Sequence, residues 1–309
     1  MQIVKPDINI NFVGKRQLAM ILSGIVILIG LASLVVNGPN YGIDFVGGTL
    51  VQVKFDSNTD AAKIKGALAE VELGSLVVQR FGDDPNEFLI RVQKSDKDSE
   101  LTKQITKNLE TTYGEGAVDI RRVEMVGPQV GKDLRQKGFL SIVYAMIGIL
   151  VYITWRFELR YAVGAIIALL HDVLITLGAF SVSGREIDLP IIAAFLAIIG
   201  YSLNDTIIVY DRIRENYGKH QKKGFSFVVN RSINETLSRT ILTSGTTLLV
   251  VLALFIFGGG VIHNFAFALL IGVLVGTYSS IFVASPILLF WESYRTGDRQ
   301  EAVTDEGSV

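Results

Sequence analysis

The stretch GYSLNDTIIVYDRIREN, residues 200–216, closes an apolar run that opens at Leu189 and carries a carboxylate, Asp205, inside it. Asn204 stands beside that carboxylate, and the run gives way at once to Asp211-Arg212-Ile213-Arg214. A carboxylate in the middle of an apolar span is costly in lipid and by default marks a functional position. The alternative is a structural carboxylate, capped or paired inside a helix bundle. Which reading holds depends on what surrounds Asp205.

Composition places the stretch in a membrane. Half of the 309 residues are hydrophobic, mean hydropathy is +0.42 and only 19% of residues are charged. A soluble domain carries about 25% charged residues. Here the charges crowd into a few segments and leave long stretches bare, the pattern of an integral membrane protein. The net charge of −1 says nothing about partners, but the lack of a broad basic domain argues against nucleic acid. With no cysteine in the chain, disulfides, thiol catalysis and cysteine-ligated metals are excluded.

Six apolar spans are expected, at residues 18–36, 138–155, 161–182, 189–210, 241–257 and 262–291. The first exceeds the 7–15 apolar residues or so of a signal-peptide core. The last is long enough to tilt or break. With the N-terminus inside, segments 1–17, 156–160, 211–240 and the tail after Trp291 hold three, two, seven and two Lys or Arg. The outer loops at 183–188 and 258–261 hold only Arg185. Positive residues gather on the cytoplasmic side, so both termini are expected there, residues 292–309 forming a cytoplasmic tail.

Residues 38–130 differ in kind and are expected outside, between the first two spans. Residues 48–55, 75–81, 87–93 and 118–126 read as strands. Residues 59–71 and 99–113 read as helices, with Ala62, Ile64, Leu68 and Val71, then Leu101, Ile105 and Leu109, on their inner faces. A hairpin-type loop at 82–86 joins the middle strands. The order β-α-β-β-α-β is that of a ferredoxin-like domain. The fold class expected is therefore an α-helical membrane protein of six transmembrane helices with one α+β extracytoplasmic domain.

Several constellations bear on chemistry. Asp205 lies six residues before Asp211, about 9 Å inside the cytoplasmic end of its helix. Ser202 and Tyr201 at i−3 and i−4, and Val209 and Arg212 beyond, share its face. Arg239 opens the fifth span in TLSRTILTSGTT (236–247), where Thr240, Thr243, Ser244, Thr246 and Thr247 extend a polar lining. If the fourth and fifth helices are neighbours, Arg239 can approach Asp205 and the two can take up and release a proton. Alone, Arg239 is an inner-end anchor. His171 and Asp172, adjacent in the third span, serve either a relay or helix packing through polar contacts. The spacing of Gly272 and Gly276, and of Gly164 and Ala168, permits close helix contact. Phe225, Val228, Val229, Ile233 and Leu237 form one face of an amphipathic helix, on the inner membrane surface or as a plain connector.

YGIDFVGGT (41–49) joins the first span to the domain, with Gly42, Gly47 and Gly48 allowing tight turns around Asp44. It has no following helix or Lys to make a phosphate loop. GPQVGKD (127–133) is one residue short of a Walker motif and ends in Asp where Ser or Thr is needed. No cofactor, metal or nucleotide site is expected, so any work done draws on an ion gradient or a partner. Nor does any nucleophile–base set suggest an enzyme.

These motifs together resemble the SecD/SecF family of protein-export membrane proteins, within the resistance-nodulation-division transporter group. The resemblance rests on YGIDFVGGT, the single outer domain, six spans, His171-Asp172, GYSLNDTIIVYDRIREN and TLSRTILTSGTT, and covers essentially the whole chain. The short outer region matches the smaller subunit type. The resemblance implies a bacterial cytoplasmic membrane protein that pairs with SecD into twelve spans and associates with the SecYEG channel, often with YajC and YidC. It implies use of the proton motive force to complete export after SecA has acted, with Asp205 and Arg239 as the proton-linked pair. Two other classes fit the pattern of spans: proton-coupled small-molecule efflux, for which one small outer domain offers little substrate route, and a non-conducting scaffold.

Overall fold

The computed structural model describes residues 8–294 apart from 70, 72, 74, 75, 82, 83, 93–97 and 259. Much of the expected N-terminal segment and cytoplasmic tail, the tip of the expected hairpin loop, and the ends of the second and third expected strands lie outside the described residues. Six helices are long and apolar enough to cross a membrane. They are α1 (Arg16–Asn37), α5 (Pro128–Arg156), α6 (Leu159–Ser183), α7 (Leu189–His220), α8 (Phe225–Phe257) and the last, which runs from α9 (Gly260–Ser279) through a wide π turn at Ser280–Ala284 and on to Tyr294. Between α1 and α5 come a one-turn helix α2 (Ile43–Val46), β1 (Gly48–Phe55), α3 (Ala61–Ala67), β2 (Leu76–Arg80), β3 (Glu87–Val92), α4 (Asp98–Tyr113) and β4 (Val118–Val126).

The four strands form one antiparallel sheet in the order β2-β3-β1-β4. Period-2 alternation turns Val51, Val53, Phe55, Phe88, Ile90 and Val92 to one face, where all are buried against Ile64, Leu68, Ile105 and Leu109 of the helical side. The Asp60 side chain caps α3 by accepting from the Lys63 amide at 2.8 Å. That helix is shorter than the sequence suggests and leaves Ala62 exposed.

In the membrane part, α6, α7 and the last helix are the most buried, while α1, α5 and α8 lie around them. Small residues let the helices close up. An added Cβ on Gly30 would sit 2.9 Å from the Gly178 Cα, so α1 and α6 touch backbone to backbone. A Cβ on Gly276 would meet the Ser202 Cβ at 2.9 Å, which seats α9 on α7. Gly164 makes room for the Tyr210 ring, whose hydroxyl donates to the Ala284 carbonyl at the π turn.

The segment read as an inner loop, 211–240, is largely helical. α7 continues to His220 and α8 begins at Phe225, with a 3-10 turn between them. Ion pairs at helical spacing, Arg212 with Glu215, Lys219 with Glu215 and Arg231 with Glu235, support the extensions, and Arg212 to Glu235 joins them. The apolar face of 225–237 therefore does not lie on lipid. Val228, Val229, Ile233 and Leu237 are buried with Phe12 and Val13, and the Asn230 and Asn234 side chains hold the Ile10 and Phe12 backbone.

The glycine junction is pinned on the loop between α6 and α7. Gly42 donates to Ile187, Ile187 donates to Asn40, and the Asn40 side chain donates to Gly184. Asp44 accepts from the Leu189 amide at 2.9 Å, capping the start of α7. Gly47 adopts φ +82°, and a Cβ there would strike Pro128 at 2.7 Å, so both the turn and the close approach to α5 require glycine. From the sheet, Arg91 forms a two-pronged ion pair with Glu186 of the same loop.

The α1–α6 contact is directly testable. The Ser33 and Ser181 hydroxyls lie 2.9 Å apart, and the chain has no cysteine to interfere. Cysteines at both positions should form a disulfide in high yield. Gly178→Leu should cut that yield several-fold by forcing α1 away, and an unchanged yield would refute the contact.

Candidate functional site

Two buried carboxylates occupy the centre of the bundle. Asp172 of α6 is fully buried, and its Oδ2 accepts from the Ser202 hydroxyl of α7 at 2.5 Å and the Ser279 hydroxyl of α9 at 2.8 Å. Its Oδ1 lies 2.9 Å from His171 Nδ1. His171 Nε2 lies 3.0 Å from Ser23 Oγ of α1, which in turn lies 3.0 Å from the Tyr278 hydroxyl of α9. Tyr278 stacks near the imidazole and donates to the Ala19 carbonyl at 2.7 Å. One carboxylate thus gathers hydroxyls from two neighbouring helices, and its histidine reaches a third.

Asp205 of α7 is also buried, but more sparsely served. Oδ2 accepts from Ser244 of α8 at 3.2 Å, and Ser244 Oγ lies 2.7 Å from Thr277 of α9. Oδ1 has no hydrogen-bond partner among the described residues. A buried carboxylate oxygen without a donor is expensive when ionised. Asp172, by contrast, has both carboxylate oxygens served.

The expected site residues divide accordingly. α7 and α8 do pack together, but the residue that meets Asp205 is Ser244. Arg239 is exposed on the outer side of α8, and no ion pair joins it to Asp205, though its charge acts on that carboxylate. Five residues separate Arg239 from Ser244, which at 100° each turns them about 140° apart. Asn204 is exposed on the outside of α7. Ser202 turns to Asp172 rather than extending a stripe to Asp205, and Tyr201 keeps a buried hydroxyl without a partner among the described residues. Towards the extensions, Arg212 is engaged by Glu235 and Glu215.

Ser23, Thr277, Tyr278 and Ser279 join the site without sequence having marked them for it. No local signal distinguishes these hydroxyls from the many others in apolar helices.

A third acidic group lies outside the membrane, at the junction. Asp188 accepts from the Ile191 amide at 3.2 Å at the start of α7. Burial lifts its carboxyl from 3.8 to about 6, the charges of Asp44 and Glu186 add to the rise, and the Ile191 amide opposes it.

Two family profiles match the chain: "Protein export membrane protein SecD/SecF, C-terminal" over residues 104–294, and "SecD/SecF GG Motif" over residues 32–59. The protein translocase subunit SecF of Magnetococcus marinus is 49% identical over 94% of this chain and 95% of its own length. The chain belongs to the SecD/SecF family. The SecF of Desulfurispirillum indicum is 50% identical over 91% of each chain. Among solved structures, SecDF from Thermus thermophilus is 35% identical with a TM-score of 0.85, and SecDF in a super-membrane-facing form is 34% identical with a TM-score of 0.72. Those matches cover 94% and 98% of this chain but only 40% and 41% of the longer SecDF chains. This SecD/SecF family member is thus a multi-pass membrane protein similar along most of its length to Sec translocase subunits. The glycine-motif match spans the end of α1, the pinned junction and β1.

The raised Asp188 pKa makes junction stability pH-dependent. A carboxyl whose folded pKa exceeds its unfolded value stabilises the fold when protonated, and that contribution is lost as pH rises through the folded value. The window runs from about 4 to about 6. Thermal unfolding in detergent should occur at a higher temperature at pH 5 than at pH 7.5. Asp188→Asn should shrink that difference and raise the pH 7.5 midpoint; a variant that keeps the full difference would show that another group causes it.

Proposed function

We propose that this chain is the SecF subunit of a bacterial protein-export complex. It pairs with a SecD subunit in the cytoplasmic membrane and uses the proton motive force to promote the late stage of polypeptide translocation. The observation that carries the proton coupling is Asp205, buried between α7 and α8 with one oxygen bonded to Ser244 and the other without a donor. Protonation removes the cost of that bare oxygen, so Asp205 is the group that loads and unloads. Arg239 and Asn204, exposed on the outside of α8 and α7, are offered to the partner subunit. Arg239, whose charge acts on Asp205, is the other member of the proton-linked pair. The SecYEG channel, with YajC and YidC, follows as a further set of partners from the family resemblance. The chain acts by conformational work and not as an enzyme.

Both termini lie in the cytoplasm, and the sheet domain, ferredoxin-like in its strand order, stands outside. The positive-inside pattern supports this orientation. A single cysteine replacing Glu115 should react with a membrane-impermeant maleimide on intact spheroplasts, whereas one replacing Lys222 should react only after lysis. The reverse pattern would invert the topology.

The proton role is tested in vesicles holding the full complex, with export followed under an imposed gradient. Asp205→Asn keeps the hydrogen bond to Ser244 and removes titration. Export should fall to the rate seen with an uncoupler, while co-purification with SecD is unchanged. Gradient-driven export at the normal rate would overturn the relay and favour the scaffold reading.

A further inference from the structure

The hydrogen-bond chain from Asp172 to Ala19 has four contacts, and counting hydrogens along it gives an unexpected total. The Ala19 carbonyl can only accept, so its 2.7 Å contact takes the Tyr278 hydroxyl hydrogen. The 3.0 Å contact between Ser23 and Tyr278 then needs the hydrogen of Ser23. With that spent, Ser23 Oγ can only accept from His171, so Nε2 must carry a hydrogen. The last contact, His171 Nδ1 to Asp172 Oδ1 at 2.9 Å, needs one more. With a neutral imidazole and a carboxylate, the chain holds three hydrogens, one each from His171, Ser23 and Tyr278, and four are required.

We infer that His171 and Asp172 form a second proton-binding site whose occupancy sets how firmly Tyr278 ties α9 to α1. In the occupied state His171 is an imidazolium paired with the Asp172 carboxylate. The two hydroxyls on Oδ2, from Ser202 and Ser279, suit that charge. On release of one proton the remaining three hydrogens cannot fill four contacts. A bare Nδ1 facing the carboxylate is the most repulsive arrangement, so the neutral ring keeps its hydrogen on Nδ1 and Nε2 turns acceptor. Ser23 then donates to Nε2. Tyr278 has one hydrogen for two acceptors on α1, Ser23 Oγ and the Ala19 carbonyl, and one of its two bonds to that helix is lost. Because α1 leads straight into the pinned glycine junction, the site lies on a mechanical route to the sheet domain.

The groups facing the pair are few. α1 brings Ser23, and its Arg16 lies at the far inner end. α9 brings Tyr278 and Ser279, and α7 brings Ser202, with Asp205 one turn on and bonded to Ser244. α5 carries Tyr144 and Tyr152, both exposed on its outer side. Among the described residues no Lys, Arg or Glu pairs with either member. The inference is read from His171 itself and stands whether or not Asp205 carries protons.

The test uses the full chain with its SecD partner in lipid vesicles, labelled with 15N-histidine and 13Cζ-tyrosine, and solid-state NMR between pH 5 and pH 9. With three histidines in the chain, His171→Gln assigns the ring and Tyr278→Phe assigns the tyrosine. The expected result is a doubly protonated His171 ring at the acid end and an Nδ1–H ring at the alkaline end. The Tyr278 Cζ resonance should move in step and lose that pH dependence in His171→Gln. Unchanged His263 resonances report that each variant is folded. A neutral ring protonated on Nε2, a ring that stays the same from pH 5 to pH 9, or a Tyr278 resonance that does not follow it would each overturn the inference.

Discussion

The bundle is organised by the need to satisfy a carboxylate where water is scarce. Asp172 is fully buried in α6, and the donors that satisfy it come from α7 and α9, with its histidine reaching α1. Hydroxyls can reach it only if the helices approach closely, which Gly30 against Gly178 and Gly276 against Ser202 allow. Gly276 sits directly against Ser202, the residue that donates to Asp172, so removing bulk from α9 is what brings that serine within range. Packing and polar satisfaction are one requirement here.

The π turn at Ser280–Ala284 belongs to the same requirement. Before it, α9 presents Gly272, Gly276 and Ser279 towards α7 and α6. At its end and beyond, Ala284 and Leu288 are buried in a different cluster, with Tyr161 and Tyr210. One extra residue in a helical turn rotates the downstream face by about 100°. The Tyr210 hydroxyl and the Ser285 hydroxyl occupy the Ala284 and Ser280 carbonyls around the turn. A single helix thereby serves two packing surfaces at different depths. The sequence suggested only that this span was too long to be simple.

Local pattern carried most of the fold. Apolar runs gave the six spans, and periods of 2 and 3.6 separated strands from helices between residues 48 and 126. The cost of buried charge singled out Asp205, His171 and Asp172. What was not legible depends on the rotational phase of one helix against another. Arg239 and Ser244 are both polar residues near the start of one span, and only the placement of α8 against α7 decides that Ser244 meets Asp205. The amphipathic face of 225–237 read as membrane-facing or as a plain connector because its cover combines Val209, Tyr210 and Ile213 of α7 with Phe12 and Val13, which lie more than 200 residues away in sequence. Long-range partners of this kind leave no local trace.

The same geometry fixes how the membrane part and the sheet can influence each other. α6 carries His171 and Asp172, α7 carries Ser202 and Asp205, and the loop joining them takes Asn40, Gly42, Asp44 and Arg91 as its partners. Asp172 lies about 16 Å below that loop and Asp205 about 24 Å, along helices that are stiff over such lengths. A small slide of α7 against α6 at the level of the carboxylates must therefore appear at the loop. The junction and the Arg91–Glu186 pair tie that loop to the sheet side at two separated points. A single flexible linker would dissipate the same displacement. That difference is the physical reason for building the domain connection from tight glycine turns rather than from a mobile tether.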